Sequence, residues 1–233
     1  MGFAVAQQLA SGGGKVIITG RTQTALDAAA RQLKQNVQTI RSDAANLADV
    51  RSLMHFAQRT FGKLDGIFAN AGAAIFGPVE GVTEKTYDDL MAVNVKGVFF
   101  LLQSSIPLLN DGASIVINGS VTGTRSQPIT VVYSASKAAV RSLTKGFASA
   151  LVSRNIRVNT VSPGPIDTPL WLKEGGIPKE MVGQVMQGAK DRNPMKRFGT
   201  AEEVANAVIF LLSSQSSYIT GSEILVDGGA INL

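Results

Sequence analysis

Two hydrophobic periods alternate along the chain. Over residues 2–10, Ala4, Val5, Leu9 and Ala10 recur at helical spacing, three glycines follow at 12–14, and KVIITG at 15–20 reads as a short buried strand. A helix that feeds a strand is the second half of a β-α-β unit. The pattern then predicts a helix over 22–34, a strand over 36–42 and a helix over 46–61 that Asn46 or Asp49 caps. DGIFAN at 65–70 reads as a further buried strand, 84–109 as a long helical region, 113–119 as a strand, 131–153 as a helix and 156–162 as a strand. Short Val- and Ile-rich strands alternating with helices predict an α/β fold, a doubly wound parallel sheet in three layers. Residues 163–198 break the rhythm with Pro163, Pro165, Pro169, Pro178 and Pro194, an excursion holding one short helix near 179–190. A helix over 201–213 and a strand over 222–229 close the pattern, and no internal repeat interrupts it, so residues 1–233 are expected to form one domain.

Composition narrows the chemistry. With 45% hydrophobic residues the chain can enclose a substantial core, and its net charge of +5 is spread along the sequence, which suits a small anionic ligand at least as well as nucleic acid. The absence of cysteine excludes disulfides and thiolate metal sites, and the single His55 leaves no histidine cluster for a metal or for a Ser-His-Asp triad. Hydrolysis is therefore not expected, and no metal is. No apolar run is expected to span a membrane, and residues 1–14 lack the basic start and long apolar stretch of a secretory signal. A soluble, cytoplasmic protein with no nucleic-acid or membrane partner is the expectation.

In doubly wound sheets a ligand sits beyond the carboxyl ends of the strands. Those ends carry Gly20-Arg21, Asp43, Asn70-Ala71-Gly72, Gly119-Ser120 and Pro163-Gly164. YSASK at 133–137 adds chemistry: Tyr133 and Lys137, four apart on a helix, share a face, so an ammonium can lie beside a phenol and favour its ionised form. A phenol titrates near ~10 and needs such help to exchange protons near neutrality. The plain alternative is a solvated helix face. Ser120, thirteen residues before Tyr133, is placed to hydrogen-bond a substrate oxygen, or is simply a turn former. Asn94 is a poor mid-helix residue, which suggests a polar task, a kink or exposure.

Together these motifs resemble the short-chain dehydrogenase/reductase family, from about Gly2 to the C-terminus. The family's Asn-Ala-Gly turn matches Asn70, Ala71 and Gly72, its catalytic tetrad Asn94, Ser120, Tyr133 and Lys137, and its Pro-Gly turn Pro163 and Gly164. The resemblance implies a Rossmann-like fold and hydride transfer between a nicotinamide cofactor and a carbonyl or alcohol. It assigns Tyr133 as proton donor or acceptor and Ser120 as the group orienting the substrate oxygen. Lys137 would lower the phenol pKa and bind the nicotinamide ribose, while Asn94 would hold a water linking Lys137 to solvent. Asp43 matches the adenine-contacting acid, although it is equally a turn or capping residue. Thr168 matches the residue bonding the carboxamide, and Ile166 the backbone contact beside it. Where the family often has an acid after the second strand, this chain has Gly20 followed by Arg21, which favours NADP and leaves NAD possible. The resemblance also implies a homotetramer built through 84–109, 131–153 and the last strand.

One departure stands out. Family members open with a strand and a Thr-Gly-x-x-x-Gly-x-Gly turn, of which Gly2 resembles the last glycine. Gly12-Gly13-Gly14 follows a helix and reads as a helix stop, not a phosphate loop. The first strand, central in the family's order, is thus apparently missing, and the expectation is a natural protein longer by roughly 15–20 residues, a strand and its turn. Without it, two strands lack a shared neighbour, and weak pyrophosphate binding and lowered stability are expected. The readings left open are an active oxidoreductase and a catalytically weak or silent member that serves as a binding or assembly subunit. Leu170, Trp171, Leu172, Met181, Val182 and Met186 are candidates for an apolar lid, with packing against the body as the alternative.

Overall fold

Val- and Ile-rich runs become parallel strands in the computed structural model, which describes residues 1–33, 36–169 and 179–233, the side chains of Lys179 and Met181 excepted. Helix α1 (Gly2–Ser11) ends at Gly12, and Gly13 follows with φ +86°, so the glycine triplet is a helix stop. Then come β1 (Val16–Gly20), α2 (Gln23–Leu33), β2 (Val37–Arg41), α3 (Leu47–Phe61) and β3 (Leu64–Ala69). Asn46 caps α3 by accepting from the Ala48 N–H at 2.9 Å. Next are α4 (Glu84–Met91), α5 (Val98–Ser105), β4 (Leu109–Asn118), α6 (Val131–Leu151) and β5 (Arg157–Pro163). The chain closes with α7 (Lys179–Arg192), α8 (Ala201–Leu212) and β6 (Glu223–Val226). Each element anticipated from the period has its counterpart.

The long helical region is where local detail departs from expectation. A π-helical turn at 92–97 separates α4 from α5 and places Asn94 and Gly97 on its buried side. Gly97 is required there, because a Cβ would lie 2.4 Å from the carbonyl oxygen of Ala44. Contrary to the sequence expectation, Glu84–Leu108 is long and apolar enough, with a mean hydropathy of 1.3, to cross a membrane by length and composition. Its packing explains the hydropathy differently: Val98 and Leu102 sit in the cluster that joins β4, α6 and β5, so the apolar face meets the protein's own core.

The parallel sheet is divided. β1 pairs with β2, and β3-β4-β5-β6 form a second sheet in that order, all parallel. One face of the four-stranded sheet carries α5 and α6 over Ile115, Ile117 and Val158, and the other carries α1 and α8 over Val116 and Val161. This is the doubly wound arrangement. A third cluster, Leu53 and Met54 of α3 with Leu108, touches Ile17 and Ile40 on one sheet and Leu64 on the other. β1 and β3 border one long cleft between the sheets. Two strands expected to be buried therefore are not: Val16, Ile17 and Ile18 are half-buried, and in β3 only Ala69 is fully buried while Asp65 and Gly66 are exposed. β5, with neighbours on both sides, is buried along its whole length.

Candidate active site

Three turns at the carboxyl ends of the strands build the site. After β4, Gly119 passes so close to β5 that a Cβ would meet the Ser162 hydroxyl at 2.4 Å, and Ser120 follows at the start of a 3₁₀ turn, Val121–Gly123. Gly123 in turn packs against the Lys137 backbone, where a Cβ would lie 2.9 Å away. Side-chain-to-backbone bonds between Gln127 and Thr130 shape the entry to α6, whose first turns carry Tyr133 and Lys137. Strand, glycine and helix thus bring Ser120, Tyr133 and Lys137 to one place, as their spacing predicts.

Lys137 is buried at 3% exposure, and its Nζ donates to the Asn118 carbonyl at 2.8 Å. That ammonium stands 5.8 Å from the centre of the Tyr133 ring. Burial pushes Lys137 down to about 8, because a charged amine loses solvation in the interior. Burial pushes the Tyr133 phenol above its usual value, and a hydrogen bond with Ser120 pulls in the opposite direction. The net direction is upward because desolvation is the larger effect on the phenol, which spacing along the sequence does not report. Phe76 packs against Tyr133 with ring centres 6.3 Å apart, on the side of the cleft.

Asn94 is fully buried and does not border the cleft. Its amide accepts from the Ala73 N–H at 2.8 Å and donates to the Ala73 carbonyl and the Ser136 hydroxyl, each at 2.9 Å. Ser136 in turn donates to the Tyr133 carbonyl at 2.7 Å. The side chain expected to hold a water thus directly fastens the 70–73 turn to the first turns of α6.

The other anticipated residues share the cleft of about 1230 Å³: Arg21, Asp43, Asn70, Ala71, Gly72, Pro163, Gly164, Ile166 and Thr168 all line it with Ser120, Tyr133 and Lys137. Asp43 also plays the turn role weighed against it, accepting from the Ala45 N–H at 2.9 Å. Ile166 is 5% exposed and fixed by a bridge to Gly199. The donor set fits a dinucleotide. Arg21 offers a cation at one end, a Cβ on Gly72 would stand 3.4 Å from Lys137 Nζ, and the buried amide oxygens of Asn70 and Asn118, which are acceptors, have no partner among the described residues. Of the suggested lid, Leu170, Trp171, Leu172 and the Met181 side chain lie outside the described residues. Val182 is buried, and it is Val185, Ala189 and Arg192 of α7 that border the cleft.

Sequence reasoning missed Thr122, Ser136 and the Asn118 carbonyl. A hydroxyl two residues after Ser120 is a spacing that signals a side-chain-to-backbone turn, so Thr122 was within reach; the other two depend on how the turns meet in space.

A family model described as enoyl-(acyl carrier protein) reductase matches residues 1–230. Oxidoreductase asL5 of Sarocladium schorii is 39% identical over 98% of this chain and 90% of its own length. An NADP-dependent (R)-specific alcohol dehydrogenase of Lentilactobacillus kefiri is 34% identical over 98% of this chain and 91% of its own length. A solved short-chain dehydrogenase/reductase from Serratia marcescens superposes with a TM-score of 0.89 at 34% identity, covering 99% of this chain and 93% of the other.

Proposed function

The chain belongs to the short-chain dehydrogenase/reductase family and is an oxidoreductase, and from that premise we propose that it interconverts a carbonyl compound and an alcohol with NADP(H). The observation that carries the reading is the convergence of Ser120, Tyr133 and Lys137 on the cleft. Nicotinamide, when bound, supplies or accepts the hydride. Ser120 and Tyr133 hold one substrate oxygen between them; Tyr133 gives that oxygen its proton in reduction and takes it back in oxidation. Lys137, held by Asn118, keeps a positive charge near the phenol and thereby favours the phenolate that remains after proton transfer. Asn94 acts by holding the 70–73 turn against α6, and Asn70, Ala71, Gly72, Pro163, Gly164, Ile166 and Thr168 complete the cofactor contacts.

Preference for NADP over NAD rests on Arg21 at the end of β1, where Gly20 supplies no competing acid. A guanidinium there matches the geometry of a 2′-phosphate. The relative named as an NADP-dependent alcohol dehydrogenase supports this choice. A panel of small and acyl-linked carbonyl compounds, assayed with NADPH and with NADH, tests both substrate class and cofactor. Faster turnover with NADPH is expected; no turnover with either, in a protein that binds NADPH, would overturn the reading.

A second reading is a catalytically weak or silent member acting as a binding or assembly subunit. Titration of the 233-residue protein with NADPH, followed by nucleotide fluorescence, bears on the choice, because absence of saturable binding would count against the enzyme in this form. Assembly as a homotetramer belongs to either reading; exposed Val152, Phe210 and Tyr218 supply apolar surface for it, and sedimentation equilibrium measures it.

A further inference from the structure

Ser120 is held by a residue to which the family match assigns no role. The Thr122 hydroxyl donates to Ser120 Oγ at 2.9 Å, and the Thr122 backbone N–H donates to the same oxygen at 3.2 Å. A serine hydroxyl has two acceptor lone pairs and one proton. With both lone pairs engaged by Thr122, the proton is what Ser120 has left to offer, and Tyr133 is the neighbour it meets at the cleft. The peptide N–H is present whatever residue stands at 122. The second donor exists because that residue is a threonine.

We propose that Thr122 is a positioning residue that locks Ser120 as a hydrogen-bond donor, so that the site receives acceptor oxygens, a carbonyl or an ionised phenol, in preference to donors. This rests on the carbonyl/alcohol reading above and deepens it. A hydroxyl already accepting two bonds is polarised and becomes a better donor. A carbonyl oxygen accepts and cannot donate, so it pairs with Ser120 without any rotation of the hydroxyl. An alcohol accepts from Ser120 and gives its proton to Tyr133, which makes the tyrosine the sole route for the proton. Freed of the Thr122 hydroxyl, Ser120 gains an open lone pair, its proton can turn away from the cleft, and both substrate and phenol lose an oriented donor.

The test uses Thr122→Val, which keeps the shape and removes the hydroxyl, Thr122→Ser, which keeps the hydroxyl and removes the methyl, and Thr122→Ala as a second deletion should valine not fold. Two readouts are needed. In protein carrying ¹³Cζ-labelled tyrosine, with the Tyr133 signal assigned from Tyr133→Phe, NMR titration follows the phenol without requiring turnover. Loss of the hydroxyl is expected to raise the Tyr133 pKa by about half a unit, the share expected of one modest hydrogen bond, with serine restoring the wild-type value. In steady-state reduction, Thr122→Val is expected to lower kcat about 3–10-fold with KM little changed, and Thr122→Ser to recover it. Equal titration curves for wild type and valine, or equal shifts for valine and serine, would overturn the proposal. A shifted phenol in a protein that reduces no carbonyl would uphold the locking of Ser120 and sink the catalytic reading instead, so the two fail separately.

Discussion

Tyr133 carries a proton that burial makes hard to remove, while Lys137 carries a charge that burial makes easy to lose. At neutral pH the phenol is therefore protonated and the amine cationic, the pair of states that the proposed carbonyl reduction needs. Lys137, lowered to about 8, loses its proton as pH rises through that value, and its support for the phenolate goes with it. The rate of carbonyl reduction is thus expected to be flat below pH 8 and to fall above it, a profile measured with the cofactor saturating. Tyr133→Phe removes the proton itself and is expected to lower the rate at every pH, by roughly 10²–10⁴-fold. Much of this site was legible in the sequence, because an i to i+4 pair on a helix and a serine at a strand end are local relations. The direction of the phenol shift was not legible: spacing places an ammonium near a ring but says nothing of how much solvent surrounds either.

The π-helical turn between α4 and α5 shows what one wide turn does to an element. It sets Asn94 over the 71–73 backbone and brings Gly97 against the loop that follows β2, so a change at either position is felt at both. Gly97→Ala forces a methyl group to within 2.4 Å of a backbone oxygen. It is expected to destabilise the protein by about 1–3 kcal/mol, read from urea unfolding, and to weaken cofactor binding through displacement of Asn94. The helical period announced that 84–109 would be helical but could not announce the wide turn, since one extra residue per turn barely disturbs a pattern read over many. Length and composition suit that helix to lipid as well, a match the pattern did not announce; Val98 and Leu102 pack instead in the core cluster with β4, α6 and β5, which periodicity does not report.

Seen as a whole, the described residues form two parallel sheets with a cleft between them, joined through α1 and the cluster under α3. Hydropathy marked β1 and β3 as interior strands, and composition alone would put them there; their neighbours decide otherwise. Amides of Val16–Gly20 and Leu64–Ala69 are expected to exchange with deuterium faster than those of Arg157–Pro163, because each of these strands has a ladder on one side only. Equal protection of β3 and β5 would contradict the division. Arg21 and Asp43 belong to one sheet's rim, whereas Ser120, Tyr133 and Lys137 belong to the other's. On the proposed function, a dinucleotide long enough to touch both ends would work as a clasp: its affinity would include the work of holding the halves in register, and its departure would let them breathe. Saturating NADPH should therefore raise the melting temperature and slow exchange in β1 and β3 together, whereas nicotinamide mononucleotide, which reaches only one bank, should do neither.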